Sequence, residues 1–348
     1  MVSNHRVNST SRPTLDQVAA RAGVGRGTVS RVVNGSPQVS PQAREAVQRA
    51  IDELGYVPNR AARALVTRKT DAIALVVSES EERVFGEPFF AHIVRAISST
   101  LTETHMQLWL AMAQSTSERR LVEDHLTDQH VDGVLLLSLH DDDRLPALLS
   151  ERGLPAVLGG RTAGMLARRE DPSVLYVDND NEGGARHAVE YLLDHGRRTV
   201  GVIAGPQDMG AGVARLQGYR EALRRVGVPV DERLITYGDF SEASGTTGMH
   251  ALLDARPELD AVFAASDLMA AGALRALRDR GRSVPADVAV VGFEDSAIAT
   301  RTDPPLTTVH QSVEQMGREM TRLLLARIAG VDARSTVLDT YLIVRESA

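Results

Sequence analysis

Arg26, Thr28, Ser30 and Arg31 alternate with Val29, Val32 and Val33 in one short run. Coiled as a helix, that run turns its valines inward and presents short polar and cationic side chains outward, a mixture suited to base edges and phosphates in a major groove. Residues 1–70 carry eleven basic and four acidic side chains, whereas the whole chain nets −7, which leaves −14 on the remainder. A local basic face is what phosphate neutralisation and counterion release favour. The acidic remainder is repelled by a duplex, so nucleic acid is expected at one end only.

Bond-making chemistry is poorly supplied. The chain has no cysteine, which excludes disulfides, thiolate metal sites and Cys nucleophiles. No P-loop, GxSxG elbow or HExxH occurs, and the ten histidines are scattered, with His125 and His130 lacking the i, i+4 spacing of a metal pair. Gly183 and Gly184 open a helix after VDND, but a lone glycine pair is weak evidence for phosphate binding. Neither metal nor cofactor is expected. The alternative to a DNA-binding regulator is an enzyme on a doubly wound fold with an accessory DNA-binding head, and only Asp141, Asp267 and Glu294 are available to it as nucleophile or general base. At 348 residues, 43% of them hydrophobic, the chain can fill more than one core. No apolar run reaches the roughly 18 residues that span a bilayer, and the N-terminus lacks the apolar stretch of a signal peptide. A soluble, cytoplasmic protein with no membrane association is expected.

The elements that must carry the basic run are legible from their stops and starts. Thr14 and Gln17 fit a capping box at the start of a first helix, whose face carries Leu15, Val18, Ala19 and Ala22. Gly23 supplies the turn into the second helix, about 26–33. Ser40 and Pro41 suit the N-cap and first position of a third helix. Its apolar residues Ala43, Ala46, Val47, Ala50, Ile51 and Leu54 recur at helical spacing until Gly55. Three short helices on one small core make a helix-turn-helix headpiece. The Ala-rich, Arg-bearing segment from Tyr56 to Leu65 is too short to hold as an isolated helix in water, so it should order against a partner.

From Asp71 onward, apolar strand-like runs alternate with helical patterns, the signature of parallel sheets. AIALVV (72–77), QLWLAMA (107–113), GVLLLS (133–138) and PAVLG (155–159) form one set. VLYV (174–177), TVGVIAG (199–205), LITYG (234–238), DAVFAA (260–265) and VAVVGF (288–293) form another. Two doubly wound lobes follow, and the default pocket is the cleft at their strand C-termini.

TLDQVAARAGV, TVSRVVNG, ELGYVPNRAARAL, VVGFED and PPLTTVHQ together make the chain resemble the LacI/GalR family of bacterial transcriptional repressors, from Thr14 to about Glu346. The resemblance implies a helix-turn-helix headpiece and hinge helix, then an α/β body of two doubly wound parallel-sheet lobes like periplasmic binding proteins. The implied segments are a disordered tail at 1–13, a headpiece at 14–57 and a hinge at 58–70. A first lobe takes 71–173 plus 312–336 and a second 174–311 plus 337–348, with lobe crossings near 173, 310 and 337. By the resemblance, Arg26 and Gly27 occupy the two positions that chiefly set operator choice, and Thr28, Ser30, Arg31 and Asn34 would make base or phosphate contacts. Thr14, Ser40, Tyr56, Asn59, Arg60, Ala62 and Arg63 complete the implied DNA-binding set, with Leu65 as the wedge into the central minor groove. Gly25 and Gly27 depart from the family pattern and leave more of the readout to Arg26, under which a guanine is expected.

Motif by motif, the resemblance places effector contacts at Phe90, Asp141, Arg161, Arg215, Phe240, Ser266, Asp267, Glu294 and Gln311. Charged groups would bind vicinal hydroxyls, and an aromatic would cover an apolar sugar face. Ser266 and Glu294 depart from a more usual Asn and Asp. The implied partners are a pseudo-palindromic double-stranded operator, a small polar effector such as a sugar, and a second copy of the chain. No leucine heptads follow Leu338, which favours a dimer over a tetramer.

Overall fold

The computed structural model describes residues 13–33, 35–57, 69–128, 130–167 and 174–348, which fall into two compact units, 1–70 and 71–348. In the first unit, helices α1 (Leu15–Ala22), α2 (Arg26–Val33) and α3 (Pro41–Leu54) enclose one core. The Thr14 hydroxyl accepts the Gln17 N–H while the Gln17 side chain accepts the Thr14 N–H, closing the capping box. Ser40 caps α3 by accepting the Ala43 N–H, and Gly23 and Gly55 end their helices at φ 66° and 60°, where a Cβ would be strained. Val18, Ala19, Val29, Val32, Val47 and Ala50 form the core, and Tyr56 joins them at 9% exposure. The expected tail and the hinge segment Asn59–Leu65 lie outside the described residues, except for Pro13.

The second unit holds two six-stranded sheets. Its first half runs β1 (Ala72–Val77), α4 (Glu81–Gly86), α5 (Pro88–Leu101), β2 (Gln107–Met112), α6 (Thr116–Thr127), β3 (Gly133–Leu137), α7 (Leu145–Glu151), β4 (Ala156–Gly159), α8 (Ala163–Ala167) and β5 (Leu175–Asn179). The second half runs α9 (Asn181–Asp194), β6 (Val200–Ala204), α10 (Gly210–Arg225), β7 (Ile235–Tyr237), α11 (Glu242–Ala255), β8 (Ala261–Ala264), α12 (Asp267–Asp279), β9 (Ala289–Glu294) and β10 (Thr307–His310). Then follow α13 (Val313–Ile328), β11 (Thr336–Leu338) and β12 (Tyr341–Ile343). The first sheet has the order β11-β5-β4-β3-β1-β2 and is parallel throughout. The second has the order β12-β10-β9-β8-β6-β7 and is parallel except where β12 pairs antiparallel with β10. Strands such as β1 and β3 are buried at every residue, because helices cover both faces of a parallel sheet, so their sequences read as unbroken apolar runs.

Sheet membership corrects one expectation. VLYV was expected to open the second set, yet β5 pairs with β4 in the first sheet, and β11 joins that sheet beside β5. The first crossing therefore follows Asn179 rather than falling near 173, while the third follows Leu338, beside the expected 337. The reason is that an unbroken apolar run says a strand is buried but not which sheet buries it. Helix α13 returns to the first lobe, where Met316, Met320, Leu323 and Leu324 join the core beneath β3, β4 and β5.

Gly184 permits a further close approach. A Cβ there would meet Thr340 Oγ1 at 2.6 Å and Val309 Cγ1 at 2.9 Å, so Gly184 serves packing against the second sheet, whereas Gly183 leaves room for the capping Asp180 side chain. Among the described residues no helix is long and apolar enough to cross a membrane.

Candidate functional site

On the headpiece, α2 turns Val29 and Val32 into the core and leaves Arg26 and Arg31 exposed, with Thr28 and Ser30 partly so. Gly25 starts the helix with its carbonyl, which accepts the Thr28 and Val29 N–H groups without a side-chain cap. Arg31 Nε donates to the Gly27 carbonyl at 3.2 Å, which aims its guanidinium along the helix. The Arg26 side chain is 73% exposed, and its 3.7 Å pairing with Asp16 is a weak surface interaction of about 0–1 kcal/mol that a phosphate or base edge could replace. Thr14 and Ser40 sit at helix N-termini with their hydroxyls engaged in capping. Tyr56 packs in the headpiece core, so most of its surface serves folding. Asn34, Asn59, Arg60, Ala62, Arg63 and Leu65 lie outside the described residues.

In the body, one cavity opens where the C-terminal ends of the two sheets face each other. Phe90, Arg161, Arg215, Phe240, Glu294 and Gln311 line it. At its floor Arg215 is 4% exposed and donates from Nε to Asn181 Oδ1 (2.9 Å), from Nη1 to the Ala265 carbonyl (2.6 Å) and from Nη2 to Gln311 Oε1 (3.2 Å). Its guanidinium stacks 3.8 Å from the Phe293 ring centroid. Burial lowers the Arg215 pKa to about 10, with nearby carboxylates working the other way, so it stays charged at neutral pH.

Glu294 stands 3.9 Å from Arg215 and adopts φ 115°, a region that side-chain-bearing residues rarely visit. Burial raises its pKa to about 8 despite Arg215. Asn179 Oδ1 is buried without a hydrogen-bond partner, and Asn179 lines the same cavity. An unpartnered buried acceptor costs about 1–3 kcal/mol, which a ligand hydroxyl would recover. Arg161 donates to Asp178 Oδ2 at 2.8 Å, and Asp178 Oδ1 accepts from Asn179 N–H and Asn181 Nδ2, so an ion pair fixes this wall.

Three of the expected effector residues are not in the cavity. Ser266 is 1% exposed, caps α12 and donates to the Phe240 carbonyl. Asp267 is fully buried, where its carboxylate accepts from the Thr308 hydroxyl (2.5 Å) and the Ser296 N–H (2.7 Å), and burial raises its pKa to about 6. It braces the turn that carries Glu294. Asp141 accepts the Gly164 N–H, and its own N–H donates to the Asp208 carbonyl across the cleft. Adjacent His140 holds Asp208 Oδ2 at 2.7 Å. These two are contacts between lobes beside the cavity, which sequence position after GVLLLS did not distinguish from contacts within it.

Conversely, Arg83, Glu87, Asn179, Asp178 and Asn181 line the cavity without having been singled out. VDND could have been read for its side chains rather than for the glycines after it. Arg83 and Glu87 gave no signal, because a charged helix such as EERVFG reads as solvent-exposed.

A helix-turn-helix headpiece joined to a two-lobed body with a polar cleft defines the class of ligand-responsive DNA-binding regulators. Residues 14–59 match the model of bacterial regulatory proteins of the lacI family, and residues 189–348 match that of the periplasmic binding protein-like domain. The chain is 58% identical to the HTH-type transcriptional regulator CelR of Thermobifida fusca, across 97% of this chain and 98% of that protein. It is 35% identical to the HTH-type transcriptional repressor CytR of Escherichia coli K12, across 96% of both. Among solved structures it is similar to a transcriptional regulator CelR–cellobiose complex, with TM-score 0.77 and 55% identity over 97% of this chain and all of that one. A Lac repressor dimer bound to operator and the anti-inducer ONPF matches with TM-score 0.81 and 29% identity over 97% of this chain and 99% of that one.

The chain belongs to the lacI family of bacterial regulatory proteins. It is a DNA-binding transcriptional regulator, and the identity of its relatives sets aside the reading as an enzyme.

Proposed function

We propose that this regulator is a cytoplasmic repressor that grips a pseudo-palindromic operator as a homodimer and changes its grip when a small carbohydrate binds between the lobes. The observation that carries the effector reading is the cavity floor: a charged Arg215, a carboxyl at Glu294 and the unpartnered Asn179 Oδ1 supply donors and acceptors at one place. Vicinal hydroxyls need that pairing of donor with acceptor. The similar CelR complex holds cellobiose, which makes cellobiose the first sugar to test.

Operator contact falls to Arg26, Gly27, Thr28, Ser30 and Arg31 on α2, supported by Thr14 and Ser40 at helix ends and by the hinge residues Asn59 to Leu65. Two half-sites suit a dimer, since one short helix offers few base contacts. Coupling between the sites is expected to be worth about 1–3 kcal/mol, or 5–150-fold in operator affinity. The test is operator retardation by the full chain with and without cellobiose, beside calorimetric titration of the same protein with cellobiose and with a nucleoside. Nucleoside binding without sugar binding would overturn the carbohydrate reading.

A further inference from the structure

The mouth of the cavity carries a second charged group, separate from the floor. Arg83, on the short helix α4, donates from Nε to Glu87 Oε1 at 2.7 Å and from Nη1 to Glu79 Oε1 at 2.8 Å. Side-chain exposures of 18, 17 and 8% for Arg83, Glu87 and Glu79 show that this trio is largely buried, although Glu81, Glu82 and Phe85 of α4 are exposed. Two carboxylates clamp one guanidinium, so its fork is held in a fixed orientation before any ligand arrives. A guanidinium offers five N–H donors, and the two carboxylates engage two of them.

Floor and mouth belong to one cavity. Arg83 and Glu87 line it together with Arg215 and Glu294, and both act on the titration of Glu294. The guanidiniums of Arg83 and Arg215 lie 5.4 and 5.7 Å from the centroid of the same Phe240 ring. Each end of the cavity thus pairs a cationic donor with a carboxyl acceptor, and the two ends come from different lobes. A ligand that engages both pairs therefore touches both lobes.

We propose that Arg83 and Glu87, oriented by Glu79, bind the hydroxyls of a second sugar ring, so that the regulator selects a disaccharide over a monosaccharide. The assignment rests on the carbohydrate reading of the cleft and adds the residues that set ligand length. A disaccharide then bridges the lobes, with one ring on Arg215 of the second lobe and the other on Arg83 of the first.

The experiment is calorimetric titration of the full chain and of Arg83→Met and Glu87→Gln with cellobiose and with glucose. The readout is the ratio of the two affinities within each protein, which does not depend on the fraction of protein that folds. In the wild type, cellobiose binds at least tenfold more tightly than glucose. Both variants bring the ratio close to one while glucose affinity stays within about threefold, whereas Arg215→Met weakens both sugars. A ratio unchanged in Arg83→Met and Glu87→Gln, or an equal loss for both sugars, overturns the assignment. A wild type that binds neither sugar overturns the carbohydrate reading itself, and the wild-type titration tells the two failures apart.

Discussion

A carboxyl raised to about 8 inside a cavity makes stability depend on pH, and proton counting gives the sign. Between an ordinary value near 4.5 and about 8, folded Glu294 holds a proton that the unfolded chain has lost. The folded state therefore binds more protons than the unfolded one, and stability falls as pH rises through that window. Asp267, raised to about 6, adds a loss of the same sign at lower pH. Glu294→Gln keeps the neutral shape at all pH values. Its melting temperature should match the wild type near pH 5 and exceed it by several degrees near pH 9, and a constant difference across that range would refute the raised pKa. On the headpiece, the exposed and weakly paired Arg26 is free to reach a guanine. Arg26→Ala should relax base preference at one operator position, at about 1–3 kcal/mol, when variants are selected from randomised half-sites. Cavity-lining residues were legible where a side chain stands in its own motif, as with Arg215 and Glu294. They were not where burial decides, since nothing in the sequence says that Asp267 faces Thr308 rather than the cavity.

Secondary-structure elements were legible to the extent that they announce their own ends. The capping box at Thr14, Ser40 before Pro41, and the glycines at 23 and 55 delimit α1 and α3 locally, so the headpiece could be drawn from its residues. Sheet membership is non-local, and β5 was consequently assigned to the wrong lobe. Helix α2 combines a regular pattern with a weak interior residue. A Cβ at Gly27 would meet only Arg31 Nη2 at 3.8 Å, so alanine fits without displacing the core. Gly27→Ala should raise headpiece stability by up to about 1 kcal/mol. Slower amide exchange at Val29 and Val32 in the full chain would register it, and unchanged exchange would show that α2 is already held by its packing. Gly210 behaves differently. A Cβ there would fall 1.9 Å from the Arg161 carbonyl on the other lobe. Gly210→Ala should force the lobes apart and weaken cellobiose binding at least tenfold with little change in far-UV circular dichroism, whereas wild-type affinity would mean that the lobes can shift to accept the methyl.

At the scale of the molecule, charge separates what the fold joins. A surplus of seven basic side chains in residues 1–70 contrasts with a body that nets −14, so favourable phosphate contacts are expected chiefly from the head and hinge. Salt dependence then counts contacts. Neutralising Z phosphates gives a slope of about −0.9Z in log affinity against log salt, and six to ten contacts weaken binding by about 10³–10⁵ between 50 and 200 mM. An uncharged sugar in the cleft neither adds nor removes a phosphate contact directly. If it acts by shifting the body between two states that hold both heads differently, saturating cellobiose should change operator affinity by about 5–150-fold with the salt slope nearly preserved. A slope that falls by half would mean instead that one head of the proposed dimer lets go while the other stays bound. Filter-binding titrations at four or five salt concentrations, with and without the sugar, distinguish a respaced pair of heads from a released one.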